Sequence, residues 1–166
     1  DPDEVDLGTL QVAFHTSNGV SIPTAELQTA VRKAADLLDG TAANVKEDMP
    51  GALETTPALH AALMGADAGQ VAQQILREAG SPEMDPDLKA RIAMMSPKPV
   101  PVIDLLDTLV DLENYRSAMI HFMRGYDVMI GPAAPVPAAL HHHGYDGFPE
   151  SGSYSHAYNL AGWPAL

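Results

Sequence analysis

The chain has no cysteine. Disulfides, thiolate metal sites and cysteine nucleophiles are therefore excluded, and the composition suits a reducing compartment such as the cytoplasm. Basic residues are scarce. Nine Lys and Arg stand against 22 Asp and Glu, for a formal net charge of −13. Sequence-independent nucleic-acid binding needs clustered Lys and Arg to neutralise phosphates, so no nucleic-acid partner is expected. No apolar run approaches the roughly 18 residues that a membrane-spanning helix needs, and no charged-then-apolar leader opens the sequence. No membrane partner is expected either.

What is present is a chain of 166 residues, 46% of them hydrophobic, enough for a single domain with a real core. Its organising stretch is Gly125-Tyr126-Asp127-Val128-Met129-Ile130-Gly131-Pro132. Val128, Met129 and Ile130 are apolar without alternation, the pattern of a strand covered on both faces, so Tyr126–Ile130 reads as an interior strand. Gly131-Pro132 stops it, because proline cannot donate to a ladder and restricts the residue before it. The segment from Pro132 to Trp163 then reads as a loop without periodicity. Ligands of open α/β sheets sit outside the carboxyl ends of the strands, which makes this loop the expected place of a site.

Two further strands are predicted at Leu10–Phe14 and Ala43–Glu47, with a helix over Thr24–Asp39 crossing between them as a βαβ unit. Thr24 is the expected N-cap and Gly40 the expected stop. His15 to Gly19 is a turn cluster, and Asp1 to Gly8 is expected to fray. The middle reads as helical around Leu59, Leu63 and Met64, and again from Val71 to Leu76. Asp85-Pro86 caps a short helix through Met94. Ser96 to Pro101 is a proline-rich connector. From Ile103 to Arg124 the helical signal is strongest, with Leu105, Leu109, Leu112, Arg116, Met119 and Met123 on one row. Ile103, Leu106 and Val110 lie off that row. The expected fold class is α/β, a small, mostly parallel sheet with helices packed on it.

His141-His142-His143 with Asp146 is a cluster of imidazoles and a carboxylate, a donor set that suits Zn²⁺. Consecutive residues do not converge on one ion from regular backbone. The three histidines are therefore read as lining a substrate pocket or facing solvent, with metal binding through His141, His143 and Asp146 as the alternative. Ser153, His156 and Asp146 or Glu150 are the residue types of a Ser–His–Asp triad, but triads are recognised by geometry. No Gly-x-Ser-x-Gly elbow is present, although Ser151-Gly152-Ser153 comes near one. Tyr154, Tyr158 and Trp163 are expected to form an aromatic wall of a pocket or core. Lone histidines at positions 15, 60 and 121 default to structural roles, and no cofactor is implied.

Three stretches, in order, resemble the amidase signature family. Leu10-Gln11-Val12-Ala13-Phe14 with Gly19 and Pro23-Thr24 is similar to the strand–turn–helix that opens the family's second half. Tyr126 to Pro132 with Ala134-Pro135 looks like its late strand. Asn159-Leu160-Ala161-Gly162-Trp163-Pro164 is similar to its N-x-x-G-x-P segment. The resemblance implies amide-bond hydrolysis by a serine nucleophile, with a second serine and a lysine relaying the proton. The Gly/Ser-rich signature that carries the nucleophile is absent from this sequence. Its lysines, Lys33, Lys46, Lys89 and Lys98, lie on predicted helices, a strand or the connector. The expectation is a single α/β domain over residues 1–166, a C-terminal portion of an amidase-type hydrolase, inactive alone. It would pair with the missing N-terminal half or with a second copy, and the complete enzyme would take a small amide or ester. A stand-alone serine hydrolase using Ser153 and His156, and a non-catalytic interaction module, are the alternatives.

Overall fold

The computed structural model describes residues 5–41, 44–81, 83–93, 98–138 and 152–165. Three strands are formed, β1 (Gln11–Phe14), β2 (Asn44–Glu47) and β3 (Val128–Ile130). They make one parallel sheet in the order β2-β1-β3. Val12 lies opposite Val45 on one side and Val128 on the other. Consecutive strand residues face opposite sides of a sheet, so the burial of both Val12 and Ala13 shows that β1 is covered on both faces. The interior strand is therefore β1. The reading of Tyr126–Ile130 as the interior strand is corrected: β3 has one partner strand among the described residues, and Val128 is 40% exposed. An unalternating apolar run of three residues is too short to tell a central strand from an edge.

Asp127 fixes the start of β3 twice over. Its N–H donates to the Gln11 carbonyl at 2.8 Å, and its carboxylate accepts the Gln11 N–H at 2.9 Å. The α1 helix (Ala25–Leu38) connects β1 to β2 and buries Val31 and Ala35. Gly40, with φ +86°, lies just beyond it as expected of a helix stop. Thr24 holds the N-cap position but makes no capping bond through its side chain; its N–H donates to the Pro135 carbonyl at 2.8 Å. The expected Thr24 cap is corrected in that respect. Ahead of β1, Leu7–Thr9 is a 3₁₀ turn capped by the Asp6 carboxylate, where fraying was expected.

Four helices carry the middle of the chain: α2 (Thr56–Gly65), α3 (Gln70–Glu78), α4 (Pro86–Ala93) and α5 (Val102–Met123). Asp85 caps α4 through its carboxylate, as the Asp-Pro pair indicates. Asp67 accepts from the N–H groups of Gly69 and Val71, and these bonds hold its carboxyl below the usual carboxylate range. Along α5 the buried residues are Leu112, Tyr115 and Met119, while Leu109 is exposed and Arg116 half-buried. The expected row holds at Leu112 and Met119, but Tyr115 is buried in place of Arg116, because tyrosine buries its ring like an aliphatic side chain when its hydroxyl is satisfied. Met94 of the predicted short helix, and Ser96 and Pro97 of the predicted connector, lie outside the described residues.

The chain divides into two compact units. One comprises Asp1–Pro57 and Asn114–Leu166, and the other Ala58–Glu113. The first holds the sheet, α1 and a last helix, α6 (Ser153–Ala161). Its core is built from Val12, Ala13, Val31, Ala35, Leu53, Tyr115, Met119, Tyr154 and Ala157. Sequence reading placed α6 inside a loop, and the structure corrects this. Its buried face is Ser153, Tyr154 and Ala157, which carries no aliphatic periodicity to detect.

Candidate functional site

The carboxyl ends of β1 and β3 face α6, and the polar groups of the first unit gather there. His15 follows directly on β1, and its N–H donates to the Ile130 carbonyl at 3.0 Å. The register that pairs Phe14 with Ile130 sets Gly131 beside His15. A Cβ at Gly131 would run into the imidazole, so glycine is what lets the ring lie against the end of β3.

The His15 tautomer follows from its partners. Nδ1 lies 2.9 Å from the Ser17 carbonyl oxygen, which can only accept, so Nδ1 carries the hydrogen. Nε2 is then an acceptor and receives the Tyr158 hydroxyl at 3.0 Å. Desolvation is the main cause that lowers the His15 pKa, which keeps the ring neutral. Desolvation also pushes the Tyr158 hydroxyl up to about 12, so it stays a donor. The pair is a closed link between sheet and helix rather than a base waiting for a substrate.

Asn18 organises the turn after His15. Its side-chain oxygen accepts from the N–H groups of Val20 and Ser21, both at 3.0 Å. Its side-chain nitrogen donates to Ser153 Oγ at 2.8 Å. Tyr154 accepts from the Asn18 N–H at 3.3 Å and donates to the Ser21 carbonyl. On the other side of α6, the Tyr115 hydroxyl donates to the Ala157 carbonyl at 3.1 Å. That hydroxyl has one hydrogen, so Thr56 Oγ1, 3.1 Å away, donates to it. Arg116 Nε donates to the Leu160 carbonyl near the end of α6. Gly162, with φ +71°, closes the helix, and Trp163 N–H reaches back to the Tyr158 carbonyl at 3.1 Å. This is a Schellman-type stop, and it explains the Gly162-Trp163-Pro164 string in physical terms.

Of the triad candidates, Ser153 is 1% exposed and accepts from Asn18, while Asp146 and Glu150 lie outside the described residues. His156 stands one turn along α6 from Ser153, and its ring packs over Gly152. Of the pocket candidates, Tyr154 is in the core, and Tyr158 and Trp163 stack half-buried with ring centres 6.3 Å apart. His141, His142 and His143 lie outside the described residues. Among the described residues no three His, Asp or Glu side chains converge as a metal site. No helix described is long and apolar enough to cross a membrane.

Lys33 and Lys89 are exposed on α1 and α4. Lys46 pairs with Asp48 at 2.8 Å, and Asp48 also accepts the Tyr126 hydroxyl at 2.6 Å. The bond to Lys46, then that to Tyr126, holds the Asp48 carboxyl below its usual range. Sequence reading assigned no special place to Asn18 or Tyr115. The findable signal was local: a histidine straight after one strand and a glycine straight after its parallel neighbour. A family model described as Amidase matches residues 2–166. No curated protein and no solved structure matches the chain. The match takes in both parallel strand ends, the Asn18 turn and α6, and the chain belongs to the amidase family, a family of amide-bond hydrolases.

Proposed function

We propose that this chain is a non-catalytic portion of an amidase-type hydrolase that shapes one side of the substrate site. The observation that carries this reading is the family match across residues 2–166 in a sequence without the Gly/Ser-rich catalytic signature. The serine nearest to such a string, Ser153, is buried as the acceptor of Asn18. A nucleophile must reach substrate and must hand its proton to a base. Ser153 instead ties α6 to the turn after β1.

In this reading Tyr158 and Trp163 present the aromatic wall of the pocket and Tyr154 backs them. The substrate is a small amide or ester, and a cytoplasmic setting suits a chain without cysteine. The catalytic serine and lysine come from a complementary amidase half that docks on the sheet. β2 and β3 each have one partner strand among the described residues, which leaves each an edge to which further strands can add. A second copy of the chain uses the same edges when no such half is present.

The test is turnover of a p-nitroanilide and a p-nitrophenyl ester by the purified 166-residue chain. The expected rate equals the buffer background, because loss of a nucleophile removes many orders of magnitude. Turnover that disappears in Ser153→Ala overturns the reading in favour of a stand-alone serine hydrolase.

A further inference from the structure

One face of the first half of α5 is exposed. Val102, Ile103, Leu106, Leu109 and Val110 are between 42% and 73% exposed. At 3.6 residues per turn, Ile103, Leu106 and Val110 fall within an arc of about 60° and form a ridge two turns long. Asp104, Asp107 and Asp111 fall in the adjoining arc of about 60° along one border, and Glu113 falls on the other border. All three aspartates are exposed, and none is in an ion pair among the described residues. An apolar ridge with i, i+3, i+7 spacing is the form that receives an amphipathic helix.

We propose that this face docks a partner helix whose apolar stripe is bordered by Lys or Arg. The acidic residues along both borders select that occupant. A second copy is disfavoured on the same face: an antiparallel two-fold pairing sets the aspartates against their own mates, and a parallel one sets them against the border that carries Glu113. Like charges so placed oppose association. An anionic lipid surface is repelled by the same acids. Basic borders on the partner helix meet these acids with attraction.

The experiment uses two labelled 16-residue amphipathic peptides with the same leucine stripe, one flanked by lysines and one by glutamates. Anisotropy with the full 166-residue chain at 0.1 M salt is expected to show the lysine peptide binding at least about tenfold tighter. Replacing Ile103, Leu106 and Val110 by Ser, or Asp104, Asp107 and Asp111 by Asn, is expected to weaken it about fivefold or more. Neutralising the equally exposed Glu26 and Asp36 of α1 and Asp39 just beyond it is expected to leave it unchanged. Reversing the three α5 aspartates to Lys is expected to transfer the preference to the glutamate peptide, a gain that a misfolded variant cannot produce. Equal weakening by the α1 changes means that net charge alone attracts the peptide, and overturns the proposal. So does indifference to the serine changes, or a ridge that instead mediates self-association or binding to phosphatidylcholine vesicles.

Discussion

Burial keeps His15 neutral in the folded chain, and this has a consequence for stability. The unfolded chain takes up a proton at His15 near pH 6.5, whereas the folded chain does so only at a lower pH. Below pH 6.5 the unfolded state therefore binds more protons, and stability falls as pH falls until the folded imidazole also protonates. Urea midpoints measured from pH 7.5 down to 5 should fall for the native chain. They should fall less for His15→Gln, which is uncharged throughout. Equal slopes would show that His15 is not the group concerned. Tyr158→Phe removes the donor to Nε2 and is expected to cost about 1–2 kcal/mol at pH 7.5, because a buried acceptor is left unmet. At Gly131 the constraint is space. Gly131→Ala drives a Cβ into the imidazole, and an overpacking cost of about 1–3 kcal/mol is expected. Gly51→Ala, where a Cβ meets nothing within 4 Å, is the neutral control in the same denaturation series.

At the scale of elements, α6 depends on its ends. Gly162 sits in the left-handed region, so Gly162→Ala should destabilise the first unit by about 1 kcal/mol, read from the thermal midpoint. A change within error would mean that the Trp163 bond, not the glycine, ends the helix. This helix was also the element least legible in the sequence. The strands at Leu10–Phe14 and Ala43–Glu47 and the Thr24–Asp39 helix showed through runs, caps and stops, and the structure forms them within a residue or two at each end. α6 did not show, because Ser153, Tyr154 and Ala157 bury by hydrogen bonding and small size rather than by aliphatic periodicity. The place of the candidate site, at the carboxyl ends of the strands, was readable from topology alone. Its polar network was not, since Asn18 and Ser153 are 135 residues apart and nothing local links them. Tyr115 escaped for a related reason. Its ring belongs to the apolar row of α5, but its hydroxyl finds Ala157 and Thr56 only in the folded chain.

For the whole molecule, the charge of −13 opposes association at long range, but salt screens it over about 10 Å at 0.1 M. The edges of β2 and β3 that lack a partner strand among the described residues, and the half-buried Trp163, are the surfaces on which the proposed partner half or second copy would sit. Sedimentation equilibrium at micromolar concentration and 0.1 M salt should therefore show a dimer. A dimer lost on Leu106→Ser would place the contact on α5 and contradict the edge-pairing account. The central claim is that this amidase-family chain holds Ser153 of α6 as a structural acceptor and not as a nucleophile. The most direct measurement is the intact mass of the chain after incubation with a fluorophosphonate, a serine-reactive probe. The account predicts an unchanged mass. A stoichiometric adduct that maps to Ser153, and is absent from Ser153→Ala, would contradict it.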